Sequence, residues 1–342
     1  MAGKKSTQGA RATLRDVGRM AGVDPSLVSR IINNNPKAHA TPETRKRILA
    51  AIRSLDYKPN VSARGLKLAK TSMIGLLLPD MTNPMNELIV KGVQEEAFEL
   101  GYGIVIGNHA EMGADKAFAS LLLQGQADGL LILGHEMTDA TLRAISESDD
   151  GRLLPVNARV PGISSSVTLK DSLASEMAVE HLASLGHKKI IGIFAPLRFD
   201  TAKRRRDGFK SACRRLGIEP IIVESAGYTY RDGFESAVEG IEDFKPTGIY
   251  ASSLVIAIGT LAALRIKNLR VPEQVSVIAL HDADIANFTS PPLTTVSLPA
   301  MQMGMDAVAR LVQLISGGKP SHHVVSENPV LHQRESTASP FR

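Results

Sequence analysis

The chain has 342 residues, 43% hydrophobic and 22% charged, with a formal net charge of +5. That is enough for two or three domains, each with a buried core. The single cysteine, Cys213, excludes an internal disulfide and fits a reducing compartment. No apolar signal core follows the N-terminus, and the longest apolar runs, such as Met73–Leu78, are strand-sized. The expectation is a cytoplasmic protein with no membrane segment.

The charge is unevenly spread. Residues 1–70 hold 15 Lys and Arg against 4 Asp and Glu, while the remainder is mildly acidic. A basic head on an acidic body predicts a polyanion-binding module joined to something else. A solubilising tail is the plainer alternative.

Residues 1–12 read as a polar tail. Thr13, with Asp16 three positions on, predicts a capped helix whose apolar stripe is Leu14, Val17 and Met20–Ala21, ended by Gly22. Asp24 and Pro25 start a second helix with Leu27, Val28, Ile31 and Ile32 inward. Ser26, Ser29, Arg30 and Asn33 face elsewhere. Thr41-Pro42-Glu43 starts a third, with Ile48, Ile52 and Leu55 as its stripe. Two short helices across a glycine turn, braced by a third, predict a helix-turn-helix; any small three-helix bundle is the alternative. The stretch Tyr57–Lys67, with Pro59, Asn60 and Gly65, is a poor helix in isolation. It fits a segment that folds only against DNA or a partner, or a plain linker.

From Met73 the pattern alternates. Strands are predicted at 73–78, 104–106, 130–133, 190–194, 248–250 and 275–280, and helices near 86–100, 114–124, 173–185, 202–216, 231–241 and 254–267. This predicts an α/β body of two doubly wound lobes, parting near residues 157–170 and rejoined near 293–300. Ligands in such sheets sit beyond the carboxyl ends of the strands. Those ends nominate Asn83, Met85 and Asn86; Gly134, His135 and Glu136; Phe199, Thr201 and Arg205; Ser252 and Ser253; His281 and Asp282.

Other chemistries find little support. No Gly-x-Ser-x-Gly surrounds a serine, Gly318-Lys319-Pro320-Ser321 lacks the spacing of a phosphate loop, and no His/Cys spacing suggests a metal. The expectation is no catalytic residues, no metal and no cofactor.

Thr13-Leu14-Arg15-Asp16-Val17, Ala21-Gly22-Val23, Val28-Ser29-Arg30-Ile31-Ile32-Asn33, and Pro59-Asn60 with Ala63-Arg64 and Leu66 resemble the head and hinge of the lac-repressor (LacI/GalR) family. The resemblance implies a helix-turn-helix domain over 13–59, a hinge helix over 60–71, and an effector-binding and dimerisation domain over 72–338 of type I periplasmic-binding-protein fold. The N-lobe would take about 72–165 and 297–322, the C-lobe about 166–296 and the C-terminal segment. It implies DNA contacts by Thr13, Leu14, Pro25, Ser26, Ser29, Arg30, Asn33, Asn60, Ala63 and Leu66, with Pro25 and Ser26 at sequence-reading positions. Leu66 would wedge into the minor groove.

By the same resemblance Arg205 grips an effector, Tyr228 forms an aromatic wall, and Asn83-Pro84 matches the family's first loop. Three departures stand out. Ser253-Leu254 replaces an Asn-Asp pair, Lys170 replaces an Asp before a helix, and His281 replaces an Asp at a strand end. With two carboxylates gone, the expected ligand is anionic, held by Arg205 with Lys170, His281 or Arg159. The effector set is Asn83, Met85, Asn86, His135, Lys170, Phe199, Arg205, Tyr228, Ser253 and His281. The whole reads as a homodimeric repressor on a pseudo-palindromic double-stranded DNA operator, controlled by a small-molecule effector. A transport or sensor protein of the same fold that does not bind DNA is the alternative; it has no use for the basic head.

Overall fold

The computed structural model describes residues 12–32, 38–57, 70–79, 83–108, 125–134 and 152–340. The chain divides into two compact units, Met1–Lys70 and Thr71–Arg342.

The first unit contains α1 (Leu14–Ala21), α2 (Pro25–Ile32) and α3 (Pro42–Ser54). Thr13 and Asp16 form the full reciprocal capping box, each side chain bonded to the other's backbone N–H. Thr41 caps α3 by accepting from Thr44 N–H. Val17, Ala21, Val28, Ile31, Ile48, Ala51 and Tyr57 make the core. A Cβ on Gly18 would stand 2.8 Å from the Val23 carbonyl oxygen, so glycine lets the turn into α2 close against α1. Met20 is 53% exposed and is no part of the stripe assigned to it.

The second unit is built on two six-stranded sheets. The first is ordered β11-β5-β4-β3-β1-β2, from β1 (Met73–Leu78), β2 (Gly103–Asn108), β3 (Gly129–Leu133), β4 (Leu153–Val156), β5 (Ser166–Thr168) and β11 (His322–Val324). The second is ordered β12-β10-β9-β8-β6-β7, from β6 (Ile190–Phe194), β7 (Ile221–Glu224), β8 (Gly248–Ala251), β9 (Ser276–Leu280), β10 (Thr294–Ser297) and β12 (Val330–His332). The β10–β12 pairing is antiparallel; the others described are parallel. β3, β6 and β9 are buried at every residue. Helices cover both faces, so these strands read as unbroken apolar runs.

Among the described residues the helices of this unit are α4 (Pro84–Glu99), α5 (Asp171–Ser184), α6 (Asp200–Arg215), α7 (Tyr230–Phe244), α8 (Leu254–Ile266) and α9 (Ala300–Ile315). A Cβ on Gly208 of α6 would fall 2.2 Å from the Ser172 carbonyl oxygen of α5, so the two helices approach this closely only because that residue is glycine. All six predicted strands are present, and α4 through α8 lie within three residues of expectation. The expected helix at 114–124 lies outside the described residues.

β5 pairs with β4 and β11 of the first sheet, so the chain crosses to the second lobe after Thr168, within the stretch 157–170. It returns between β10 and α9 and crosses again between β11 and β12. Among the described residues no helix is long and apolar enough to cross a membrane.

Candidate functional site

In the head, local chemistry orders the start of α2. Asp24 Oδ1 accepts from Ser26 N–H at 2.8 Å. Ser26 and Arg30 are exposed, one turn apart. Arg30 Nη2 donates to Ser26 Oγ at 3.1 Å and its Nε to Ser26 O at 3.3 Å, so the guanidinium is held along the helix surface. Pro25 and Ser29 are half-buried beside them. Arg45, Lys46 and Arg47 on α3 are exposed as well. Thr13 spends its hydroxyl on the cap and Leu14 packs on the core, so both hold the frame of the head. Asn33, Asn60, Ala63 and Leu66 lie outside the described residues.

In the second unit a cleft of about 130 Å³ opens between the lobes at the carboxyl ends of both sheets. Pro79 follows β1, Leu133 ends β3 with Gly134 just after it, and Asn157 and Ala158 follow β4. From the other lobe come Phe199, Asp200, Thr201 and Arg205 after β6, Tyr228 after β7, Ser253 after β8 and His281 after β9. Asn83, Met85, Asn86 and Ile89 reach in from the start of α4. Asn83 caps that helix, its Oδ1 accepting from Met85 N–H at 3.1 Å. Phe199 and Tyr228 meet edge-to-face with ring centroids 5.3 Å apart. The Tyr228 hydroxyl bonds Thr201 Oγ1 at 3.1 Å.

Behind the wall is a buried charge network. Arg205 Nε donates to Asp171 Oδ1 at 2.7 Å, Nη1 to the Ser252 carbonyl at 2.9 Å, and Nη2 to His281 Nε2 at 2.9 Å. Arg204 Nη2 takes the other carboxylate oxygen, Asp171 Oδ2, at 2.7 Å and also reaches Asn157 Oδ1 at 3.3 Å. Arg204 pairs with Asp200 too, whose Oδ2 accepts from Arg159 N–H at 3.0 Å.

Burial works to raise the Asp171 pKa, but Arg205 and Arg204 outweigh it and hold the carboxyl below its ordinary value. Burial, then the adjacent Arg205 charge, pushes His281 well below the ordinary histidine value. The ring is therefore neutral. Two arginines and two carboxylates cancel.

Three sequence assignments change. Lys170 does not line the cleft: it sits at the N-terminal flank of α5, where its Nζ donates to the Ser326 carbonyl and to Asn328 Oδ1. The carboxylate expected there is the next residue, Asp171, one position along. Asp282 turns away from the cleft to Thr295 and Arg334. Arg159 contributes its backbone N–H and keeps its side chain exposed. Of the nominated effector residues, Asn83, Met85, Asn86, Phe199, Arg205, Tyr228, Ser253 and His281 share the lining. His135 lies outside the described residues.

Sequence reasoning missed Asn157, Asp171 and Asp200. Asn157 follows a strand, β4, that was itself unread; Asp171 and Asp200 open helices that follow strand ends, and that position was their signal. Among the described residues no cluster of His, Cys, Asp or Glu is placed to hold a metal ion.

A helix-turn-helix head on a two-lobed, clefted body is the build of a ligand-responsive DNA-binding regulator. Residues 13–60 match the bacterial regulatory proteins of the lacI family, and 179–337 match the periplasmic binding protein-like domain. The chain is 30% identical over 331 residues to the ribose operon repressor of Escherichia coli K12, covering 95% of this chain and 99% of that protein. It is also 30% identical over 339 residues to the HTH-type transcriptional repressor PurR of Haemophilus influenzae Rd, covering 96% and 99%. The lac repressor dimer bound to operator and the anti-inducer ONPF superposes with a TM-score of 0.84 at 26% identity, covering 96% of this chain and all of that one. The chain belongs to the lacI family of bacterial regulatory proteins. It is a DNA-binding transcriptional repressor with a periplasmic-binding-protein-like effector domain.

Proposed function

We propose that the protein is a cytoplasmic homodimer that places α2 of each head in the major groove of a pseudo-palindromic operator. A small, uncharged polar molecule in the interlobe cleft sets its grip. The charge state of Arg205 carries the ligand reading. Its guanidinium is neutralised by Asp171 and has all three nitrogens engaged, His281 is neutral, and Lys170 is elsewhere. An anion would enter a site whose cations are already paired. The expectation of an acidic effector therefore gives way to a neutral one. The apolar lining of Met85, Ile89, Leu133 and Phe199 offers such a ligand a dry face, and the amides and hydroxyls offer it polar contacts.

A ligand that binds one interlobe angle better than another shifts that equilibrium by its differential affinity, which is how it reaches the DNA end of the chain. Calorimetry against neutral sugars and their matched sugar acids tests the charge argument; selective binding of the acids would refute it. For the head, Arg30→Ala should lower operator affinity and shrink its salt dependence, measured by fluorescence anisotropy over a salt series. An unchanged affinity would remove α2 from the interface.

A further inference from the structure

The hydrogen-bond partners around the cleft fix which polar atoms are left for a ligand. Arg205 Nη2 can only donate, so the His281 Nε2 that faces it at 2.9 Å must be the unprotonated acceptor. A neutral ring with a bare Nε2 carries its proton on Nδ1. An aspartate at this position would offer only acceptors; His281 offers an N–H.

The same logic applies to three neighbours. Asn83 Oδ1 accepts from Met85 N–H, so the side-chain amide is oriented with its NH₂ outward from that bond. Asn157 Oδ1 accepts from the Arg204 guanidinium, which leaves its NH₂. Ser253 Oγ accepts from Ile256 N–H at 3.3 Å, which leaves its hydroxyl hydrogen. All four residues line the cleft. At His281 the internal donor takes the one acceptor atom; at the other three it takes one lone pair, and in every case a donor remains. Asp200 is the one carboxylate among the described lining residues, and its Oδ2 is already shared by Arg159 N–H and Arg204. The Thr201–Tyr228 hydroxyl pair can serve either role.

We propose that His281, with Asn83, Asn157 and Ser253, makes the cleft a reader of hydrogen-bond acceptors, selecting a small ring compound with a carbonyl-type oxygen, such as a lactone, over its hydroxyl analogue. This rests on the cleft being the effector site. A ligand hydroxyl facing these groups can use its oxygen but must also find an acceptor for its own proton; a carbonyl oxygen has no proton to place. Buried donors left without an acceptor are what penalise the wrong ligand.

The test uses the full chain labelled with ¹⁵N-histidine, with His281→Asn identifying the His281 signals. The expected spectrum shows a protonated Nδ1 and an unprotonated Nε2 from neutral to mildly acid pH. The opposite tautomer, or an imidazolium, overturns the proposal whatever binds. Calorimetry then compares xylono-1,5-lactone with xylopyranose, its ring hydroxyl analogue. The lactone should bind the native protein tighter by roughly tenfold, the worth of about one hydrogen bond. His281→Asn, which can accept from Arg205 and still donate, should keep that preference, while His281→Asp should reverse it. Both residues tolerate the left-handed backbone at this position, φ 73°. Equal binding, tighter xylopyranose binding or no lactone binding overturns the proposal. A lactone that binds without moving the His281 signals instead refutes the cleft as the effector site.

Discussion

Asp171 Oδ1 and Arg205 Nε lie 2.7 Å apart with both residues shut off from solvent, at 1% and 2% exposure. Removing one partner strands a buried charge. Asp171→Ala should cost about 3–5 kcal/mol of stability by urea unfolding. Replacing both, as Asp171→Leu with Arg205→Met, should recover most of that loss while abolishing ligand binding. A double variant as unstable as the single one would show that the pair does more than neutralise itself.

Acid should weaken the second unit in two stages. His181, His187 and His281 all have folded-state pKa values lowered by burial from the ordinary 6.5. Their contribution is present above that value. It is lost as pH falls below it, because the unfolded chain then takes up protons the native state refuses. Asp171 is lowered from 3.8, so its contribution holds above the ordinary carboxylate range and is lost only as pH falls beneath it. Urea midpoints over a pH series should show an early decline, partly flattened by His281→Asn, and a later one reduced in Asp171→Asn, with Asp282, also held below its ordinary value, supplying part of the rest.

Gly208→Ala should be costly although it adds one methyl group. The new Cβ would meet backbone, the Ser172 carbonyl oxygen at 2.2 Å, and backbone cannot swing aside. A loss of roughly 1–3 kcal/mol is expected, as for an overpacked core. Differential scanning calorimetry of the full chain reads it; an unshifted midpoint would mean that α5 and α6 slide freely.

Thr13→Ala removes the cap that Asp16 N–H bonds and should cost α1 about 1 kcal/mol. Thr13→Ser should cost far less. Hydrogen exchange at the α1 amides is the direct measure, and equal protection in all three proteins would contradict it.

Most strands legible in the sequence are buried on both faces; β2, read at 104–106, is half-exposed. β1 and β6 are apolar runs bounded by polar residues, and each was read to the residue. β4 escaped because Pro155 interrupts a four-residue run and argues against a strand. β5, β11 and β12 have three residues each, too short for any period to register. α9 starts at Ala300 after a proline with no side-chain cap, so its start carried no signal. The site was legible where residues follow well-read strands, as Phe199, Ser253 and His281 do. It failed at Asp171, because the family match was laid one position early, and there that shift exchanges a carboxylate for an ammonium.

The three crossings between the lobes leave from neighbouring strands: β5 and β11 lie side by side in one sheet, β10 and β12 in the other. Tethers gathered along one line let two bodies swing and resist pulling them apart. Such a joint has one soft coordinate. Whatever occupies the cleft can therefore speak to the rest of the molecule in a single quantity, a rotation, and two unrelated ligands that impose the same rotation would be read as the same message.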